Sequence, residues 1–389
     1  MEPGRRVVHV FTVPLSLIFL RGQVAFMRRR GYELSVISAP GPELDEFGAR
    51  EGAKVHAVSM SRRITPREDA RSLSQLVKLL RKLRPDIVHS HTPKGGVLGT
   101  TAAPLARVRT RIYHMRGLPL VTASGTQRAL LAGAERTSCT LATHVLCVSR
   151  SLRRVAIDHR LVPPDKIRVL RSGSGNGVDC EGRFDPDRVD RAAVLALRER
   201  LGVGDAPLIG FVGRLVRDKG IVELADAWSR VRERIPRAHL VIAGTFEERD
   251  SVPPDVRARL AGDPRVHLLG FLERTELLYG ALDVLAFPSH REGFPNVPAE
   301  ASSMRLPVVG ADATGTSDAV ADGVTGTLVP VGDASALASA IERYLTDRAL
   351  AAAHGEAGRQ RMLRDYRREA VWDALATFYD TVSTTAGVA

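Results

Sequence analysis

Residues 211–228, FVGRLVRDKGIVELADAW, place Gly213 and Arg214 directly after an apolar run and Lys219 and Gly220 at the start of an amphipathic pattern. A helix start carries unpaired backbone N–H groups and the positive end of the helix dipole. Two added cations therefore focus positive potential on an anion, a phosphate first of all. The rival reading, a solvated cationic pair, fits this strand-turn-helix context less well. A second constellation lies at 290–302, HREGFPNVPAEAS, where Glu292 and Glu300 stand eight positions apart. Two carboxylates could serve a glycoside hydrolase as acid and nucleophile, about 5 Å apart in the retaining case. Pro295 and Pro298 oppose that geometry. They suit a loop ending near Asn296 as an N-cap, with Pro298 in the first helical turn, Glu300 one turn on and Glu292 left in the loop. So placed, each carboxylate could grip a diol, and Gly293 with the helix start would offer N–H groups to phosphate or sugar oxygens.

In the N-terminal half, His91 follows the run DIVHS, and Lys94 with Gly95 and Gly96 sits where a loop meets a helix. That is a fit place for a phosphate or an acceptor hydroxyl, although a histidine at a strand end reads equally as a structural hydrogen-bonder. Asp185 and Asp187 have the D-x-D form of a metal site but lie in a predicted linker, where turn and capping roles prevail. GSGNG at 173–177 fits neither phosphate-binding glycine pattern, and neither a Ser-His-Asp set nor zinc spacing is present in the sequence.

These residues need rigid elements behind them. Short β-branched runs (VVHVFTV, ELSVIS, KVHAVSM, DIVHSHT, TRIYHMR, HVLCVS, then PLIGFVG, AHLVIAG, RVHLLG, DVLAFPS, LPVVGAD, GTLVP) alternate with longer helical stretches. This is the signature of βαβ units and parallel sheets, and about a dozen strands exceed one comfortable doubly wound sheet. We expect two Rossmann-like α/β domains, 1–185 and 186–367, joined through 184–207, with an amphipathic final helix at 368–389 returning to the first. Ligands of such sheets bind beyond the carboxyl ends of strands, where the candidate residues fall.

The 389 residues carry a net charge of +12, unevenly spread. Residues 1–180 hold 30 Lys and Arg against 13 Asp and Glu, a balance of +17, whereas 181–389 hold 26 against 31, or −5. A basic half suits a phosphorylated acceptor or an anionic membrane surface, and an arginine-rich solvated surface equally. Cys139, Cys147 and Cys180 are few, odd in number and outside metal spacing, as for reduced thiols of a cytoplasmic protein. The apolar run 7–20 is interrupted by Pro14 and lacks a small-residue cleavage site, so a buried strand feeding a helix is expected rather than a signal peptide.

GRLVRDKG, followed about seventy residues later by SHREGFPNVPAEASSMRLPVVGADATGTSDAVADGVTGTLVPVGD, resembles the C-terminal half of family 4 of the retaining glycosyltransferases, which have the GT-B fold. The acidic pair matches that family's E-x7-E pattern, and PDIVHSHTPKGGVLG, IYHMRGLPL, VLCVSRSL and GNGVD extend the likeness over nearly the whole chain. HTPKGG, RGLP and NGVD look most like bacterial enzymes of capsule, O-antigen or related lipid-linked oligosaccharide synthesis, often with amino-sugar donors. The resemblance implies that Arg214 and Lys219 hold the diphosphate of a nucleotide sugar, a UDP-sugar by preference, and stabilise its leaving charge without a metal or other cofactor. It further implies that Glu300 holds the ribose, while Glu292 and the backbone of Gly293, Phe294, Pro295 and Asn296 orient the sugar.

The N-terminal half would then bind the acceptor through Ser16, Lys94, Gly95, His114 and Arg116, with His91 and Arg116 joining the catalytic set. Two positions depart from the family pattern. The strand matching RIYHMRG ends in Arg116, where many members have histidine, with His114 two residues earlier; a guanidinium stays protonated and binds phosphate or acceptor rather than acting as a base. The paired glycines common after the first strand are replaced by TVPLSLIFLRGQ, with Pro14 and Ser16. Its Leu15, Leu17, Ile18 and Phe19 suit a lipid-proximal acceptor or a buried helix face. The expected partners are thus a nucleotide-sugar donor, a polyprenyl-diphosphate-linked or small-molecule acceptor and an anionic membrane at its cytoplasmic face, with no nucleic acid. A soluble cyclitol or secondary-metabolite acceptor, a sugar-nucleotide epimerase and a nucleic-acid-binding protein are the competing readings.

Overall fold

A computed structural model describes residues 4–61, 65–248 and 250–385. The chain divides into two units, Met1–Gly177 with Glu369–Ala389, and Val178–Arg368. In chain order the first contains β1 (Arg5–Val10), α1 (Gln23–Arg29), β2 (Tyr32–Ser38), α2 (Pro42–Glu51), β3 (Lys54–Ala57), α3 (Pro66–Leu83), β4 (Ile87–His91), α4 (Pro93–Leu105), β5 (Thr110–Met115), α5 (Gly125–Leu141), β6 (His144–Cys147), α6 (Arg150–Asp158) and β7 (Ile167–Val169). The second contains α7 (Arg191–Arg200), β8 (Leu208–Val212), α8 (Ile221–Arg234), β9 (His239–Ala243), α9 (Pro254–Gly262), β10 (Val266–Gly270), α10 (Thr275–Ala281), β11 (Val284–Phe287), α11 (Asn296–Ser303), β12 (Val308–Ala311), α12 (Thr316–Ala319), β13 (Gly326–Val329), α13 (Ala334–Thr346) and α14 (Arg348–Arg361). The last helix, α15 (Arg368–Thr385), belongs almost wholly to the first unit.

Every strand pairing in both sheets is parallel, with orders β3-β2-β1-β4-β5-β6-β7 and β10-β9-β8-β11-β12-β13. Central strands such as β8, LIGFV, are buried throughout, because helices cover both faces. In the first unit Val7 and Phe11 pack with Val24 and Met27 of α1 and with Leu375, Phe378 and Tyr379 of α15. On the opposite face Val8 and Val10 pack with Leu76 and Leu80 of α3 and Leu98 of α4. Each such large side chain removed from water contributes about 1.5–3 kcal/mol before conformational entropy is subtracted. Among the described residues no helix is long and apolar enough to cross a membrane.

The junction expected at 184–207 lies elsewhere. Val178, Cys180, Phe184, Val194 and Leu197 pack with Leu278, Tyr279 and Leu282 in the core of the second unit, so the boundary moves from Asp185 to Gly177 and Val178. Asp190 caps α7, its carboxylate accepting the Ala193 N–H at 3.1 Å. The run 7–20 divides into a strand and a 3₁₀ turn, Pro14–Leu20, in which Leu17 and Leu20 are buried. All three cysteines are buried, and none forms a disulfide.

Candidate active site

In the second unit the strand order reverses between β8 and β11, the point where ligands of open α/β sheets bind. Beyond β8 the chain passes Gly213 and Arg214 into a 3₁₀ turn, Arg217–Lys219. Gly220 ends that turn at φ +72°, and a Cβ there would stand 2.1 Å from the Pro288 carbonyl oxygen. Glycine alone lets the turn lie against the chain leaving β11. Three contacts then fasten the 288–295 loop to the turn. Arg291 pairs with Asp218 at 2.5 Å, the His290 N–H donates to the Asp218 carbonyl at 2.9 Å, and the Lys219 ammonium pairs with Glu292 Oε1. The Ser289 hydroxyl donates to the same Glu292 oxygen at 2.8 Å, and the Glu292 N–H donates to the Thr314 carbonyl at 2.8 Å. With side chains only 17% and 14% exposed, Lys219 and Glu292 form a largely desolvated pair whose field salt screens weakly.

Glu300, on α11, accepts the Tyr279 hydroxyl at 3.1 Å. Burial, and then the Glu300 charge, push the Tyr279 phenol well above its ordinary range, so it remains a donor. The helix begins at Asn296 with Pro295 in the cap position and no side-chain cap bond, which corrects the expected Asn296 cap. Proline's fixed φ ends the loop there and puts Asn296 inside the first turn. Gly293 and Pro295 are buried, and the half-buried Phe294 ring lies 4.8 Å from that of Tyr366. Arg214 is more than half exposed and pairs with Glu247 at 3.0 Å. The structure therefore joins Lys219 to Glu292 and Glu300 to Tyr279, while Arg214 takes a partner of its own.

The first unit has its own reversal, between β1 and β4. Register sets His9 beside His89 and His91 beside His114, and all four histidines are buried on one face. Arg116 Nε can only donate, so His91 Nδ1 accepts it at 3.1 Å. His91 Nε2 then bears the proton that it donates to His9 Nδ1 at 2.9 Å, and His9 Nε2 carries the next. That last nitrogen is buried without a hydrogen-bond partner among the described residues. A parallel line runs from the Tyr379 hydroxyl of α15, 2.6 Å from His89 Nδ1, to His89 Nε2, 3.2 Å from His114 Nδ1. Burial foremost, then the Arg116 charge, lowers His9 to about 3, and burial holds His89, His91 and His114 well below their ordinary value. Burial also lowers Arg116, to about 9, so it stays cationic at neutral pH, 4.7 Å above the Phe19 ring.

One nitrogen each from His9, His89 and His91 lie within 4.8 Å of one another, a spacing open to a metal ion. The hydrogen bonds among these rings engage several of those nitrogens, and the adjoining guanidinium repels a cation. Lys94 pairs with Asp69 at 2.6 Å, and the Gly95 N–H donates to the Thr12 hydroxyl at 2.9 Å, itself 2.7 Å from that of Thr92. Thr92 holds φ +64° and ψ 155°, a region costly for a side chain, at the carboxyl end of β4. Ser16 is half-buried in the 3₁₀ turn, whose apolar residues divide by exposure: Leu15 is 65% and Ile18 50% exposed, whereas Leu17 and Leu20 are buried.

Sequence reasoning passed over His9, His89, Tyr379, Asp69, Asp218, Ser289 and Tyr279. The alternation in VVHV and DIVHSHT could have shown three histidines sharing a sheet face; the partnership with Tyr379, 290 residues from His89, has no local signal. Asp185 pairs with the buried Arg359 at 3.0 Å, and Asp187 with Arg305 at 2.8 and 3.0 Å, which ties the D-x-D acids into structural contacts.

Residues 206–347 match the family described as "Glycosyl transferases group 1", and residues 18–173 match "Glycosyl transferase 4-like domain". The capsular polysaccharide biosynthesis glycosyltransferase CapM of Staphylococcus aureus is 33% identical over 378 residues, 97% of either chain. The UDP-Gal:alpha-D-GlcNAc-diphosphoundecaprenol alpha-1,3-galactosyltransferase of Escherichia coli is 29% identical over 354 residues, 89% of either chain. Anabaena Alr3699/HepE, crystallised in complex with UDP-glucose, shares the fold with a TM-score of 0.79 at 22% identity, over 97% of this chain and 99% of that one. Two parallel sheets, each with residues of chemical promise at its strand-order reversal, and a near full-length relative at this identity lead to one conclusion: the chain belongs to the group 1, family 4 glycosyltransferases of GT-B fold, enzymes that use nucleotide sugars.

Proposed function

We propose that the chain transfers a hexosyl or N-acetylhexosaminyl group from a UDP-sugar to a hydroxyl of a polyprenyl-diphosphate-linked saccharide. The transfer retains anomeric configuration, needs no metal or other cofactor, and serves surface polysaccharide synthesis at the inner face of the cell membrane. The observation that carries this reading is the fastening of Lys219 and Glu292 to each other where the second sheet reverses order, with Glu300 bound to Tyr279 on the following helix.

In this reading Lys219 and Arg214 neutralise the diphosphate as its bond to the sugar breaks, which is where fixed cations do most for a transition state. Glu292, held by Lys219 and Ser289, orients the donor sugar with the backbone of Gly293, Phe294, Pro295 and Asn296. Glu300, positioned by the hydrogen bond it accepts from the Tyr279 hydroxyl, grips the ribose. The acceptor belongs to the first unit, where Arg116, His91, His114, Lys94, Gly95 and Ser16 cluster about the carboxyl edge. The named substrate of the E. coli relative, a diphosphoundecaprenol saccharide, and the capsular role of CapM support a lipid-linked acceptor, as do the exposed Leu15 and Ile18.

The test is direct. The purified chain is screened by thermal shift against UDP-, GDP-, ADP- and dTDP-sugars, since a ligand that binds the folded state alone raises its melting temperature. Transfer from the sugar that binds is then followed onto a polyprenyl-diphosphate saccharide with EDTA present, and the product anomer is read by NMR. Retained configuration and EDTA-resistant turnover are expected. Turnover abolished by EDTA, or transfer to a soluble cyclitol but not to the lipid, overturns the corresponding part.

A further inference from the structure

The first unit holds a second basic feature at its carboxyl edge. A cavity of about 580 Å³ is lined by Arg150, Arg153, Arg154, Val169 and Arg171. Three of the arginines stand at spacing i, i+3, i+4 on α6, and so share one helix face; the fourth follows β7. Four guanidinium groups around one space repel each other, so the arrangement is favourable in proportion to the negative charge brought into it.

Two of the four are held in place by the fold. Arg153 Nε donates to the Ile167 carbonyl at 3.1 Å and its Nη2 to the Pro164 carbonyl at 2.7 Å. Arg171 occupies φ +51°, a left-handed conformation rare for a side-chain-bearing residue, in a loop whose Ser174 N–H donates to the Val148 carbonyl at 2.6 Å. Arg154 is exposed and makes no hydrogen bond or ion pair among the described residues. The loop also ties the cavity to the acceptor edge. Gly175, four residues after Arg171 and so within about 14 Å of it along the chain, lies against Arg116: a Cβ there would stand 2.0 Å from Arg116 Nη1.

We propose that Arg150, Arg153, Arg154 and Arg171 form a subsite for a diphosphate group, that of the acceptor, reached from Arg116 across the 171–175 loop. Planar guanidinium forks bind phosphate oxygens in pairs, and four of them match the charge and oxygen count of a diphosphate better than of a single phosphate. The proposal rests on the lipid-linked acceptor reading for its biological source. The diphosphate chemistry stands apart from it and could equally come from a soluble diphosphate ester.

The test uses the full chain and the R150Q/R154Q variant, both exposed positions on a helix, with circular dichroism to verify folding. Each protein is floated with phosphatidylcholine vesicles carrying farnesyl diphosphate, with and without inorganic pyrophosphate, and with phosphatidylglycerol vesicles of equal surface charge. Pyrophosphate binding is also titrated by calorimetry in the K219A background, which weakens the second unit's contribution. We expect pyrophosphate to bind, to compete with the prenyl diphosphate vesicles, and to bind about tenfold more weakly in R150Q/R154Q. Pyrophosphate binding that depends on these arginines without vesicle capture supports the subsite and assigns a soluble source. Equal binding by the variant overturns it, as does equal capture by phosphatidylglycerol with no competition from pyrophosphate, which shows a general membrane charge effect. UDP thermal shift, run in parallel, reports on the donor reading alone, so loss of that signal leaves the arginine result intact.

Discussion

Lys219 shares Glu292 Oε1 with the Ser289 hydroxyl, so replacing any one of the three changes what the other two face. Lys219→Ala is expected to weaken UDP binding about 10- to 100-fold, by removal of a charge-assisted contact, in isothermal titration. Glu292→Ala should lower kcat far more than it raises KM if, as proposed, it orients the reacting sugar; steady-state kinetics with the accepted donor separates the two. Glu300→Ala weakens UDP binding, and Tyr279→Phe does so less, at a cost of about 0.5–1.5 kcal/mol for one hydrogen bond. Unchanged affinity in both would remove the ribose role. The Glu292 and Glu300 spacing and the Arg214–Lys219 turn were legible in the sequence because each is confined to one short stretch of chain. Asp218 was not, since its contacts with His290 and Arg291 depend on β8 and β11 lying side by side, a pairing across more than 70 residues; Ser289 and Tyr279 belong to no motif and gain their relevance only through their bonds to Glu292 and Glu300.

Gly220 shows how an element sets a site. Its left-handed backbone and the nearby Pro288 carbonyl leave no room for a methyl group, so Gly220→Ala should cost about 1–3 kcal/mol and displace Lys219. Chemical denaturation together with UDP titration checks both effects; a variant as stable and as tight-binding as the parent contradicts the account. Parallel strands announced themselves as short buried runs separated by helices. The domain boundary did not, because half of RFDPDRVDRAAVLALRER is charged and its apolar anchors, Phe184, Val194 and Leu197, find partners only in the folded second unit. Asn296 was misplaced by one position because Pro295 can end a loop without any side-chain hydrogen bond.

Across the whole molecule, acid should act through the first unit's histidines. They are neutral in the fold and would take up protons near 6.5 once unfolded, so the unfolded chain binds more protons below that pH. Their contribution to stability is complete above about 6.5 and declines as pH falls toward the His9 value of about 3. Melting temperature should therefore drop between pH 7.5 and 5, and less steeply in His9→Phe; parallel slopes would refute this. The first unit is also discontinuous: α15 supplies Leu375, Phe378 and Tyr379 to its core, the Trp372 indole donates to Asn176 at 2.7 Å, and the Tyr32 hydroxyl donates to Asp380 at 2.6 Å. A ribosome making this chain delivers the seven strands of that sheet long before the helix that seals one face of it. Val178–Arg368 can mature in the interval as an uninterrupted stretch, while the earlier sheet waits with an oily side bare. Chaperone capture of nascent chains should accordingly peak before residue 369 emerges and fall once α15 is out.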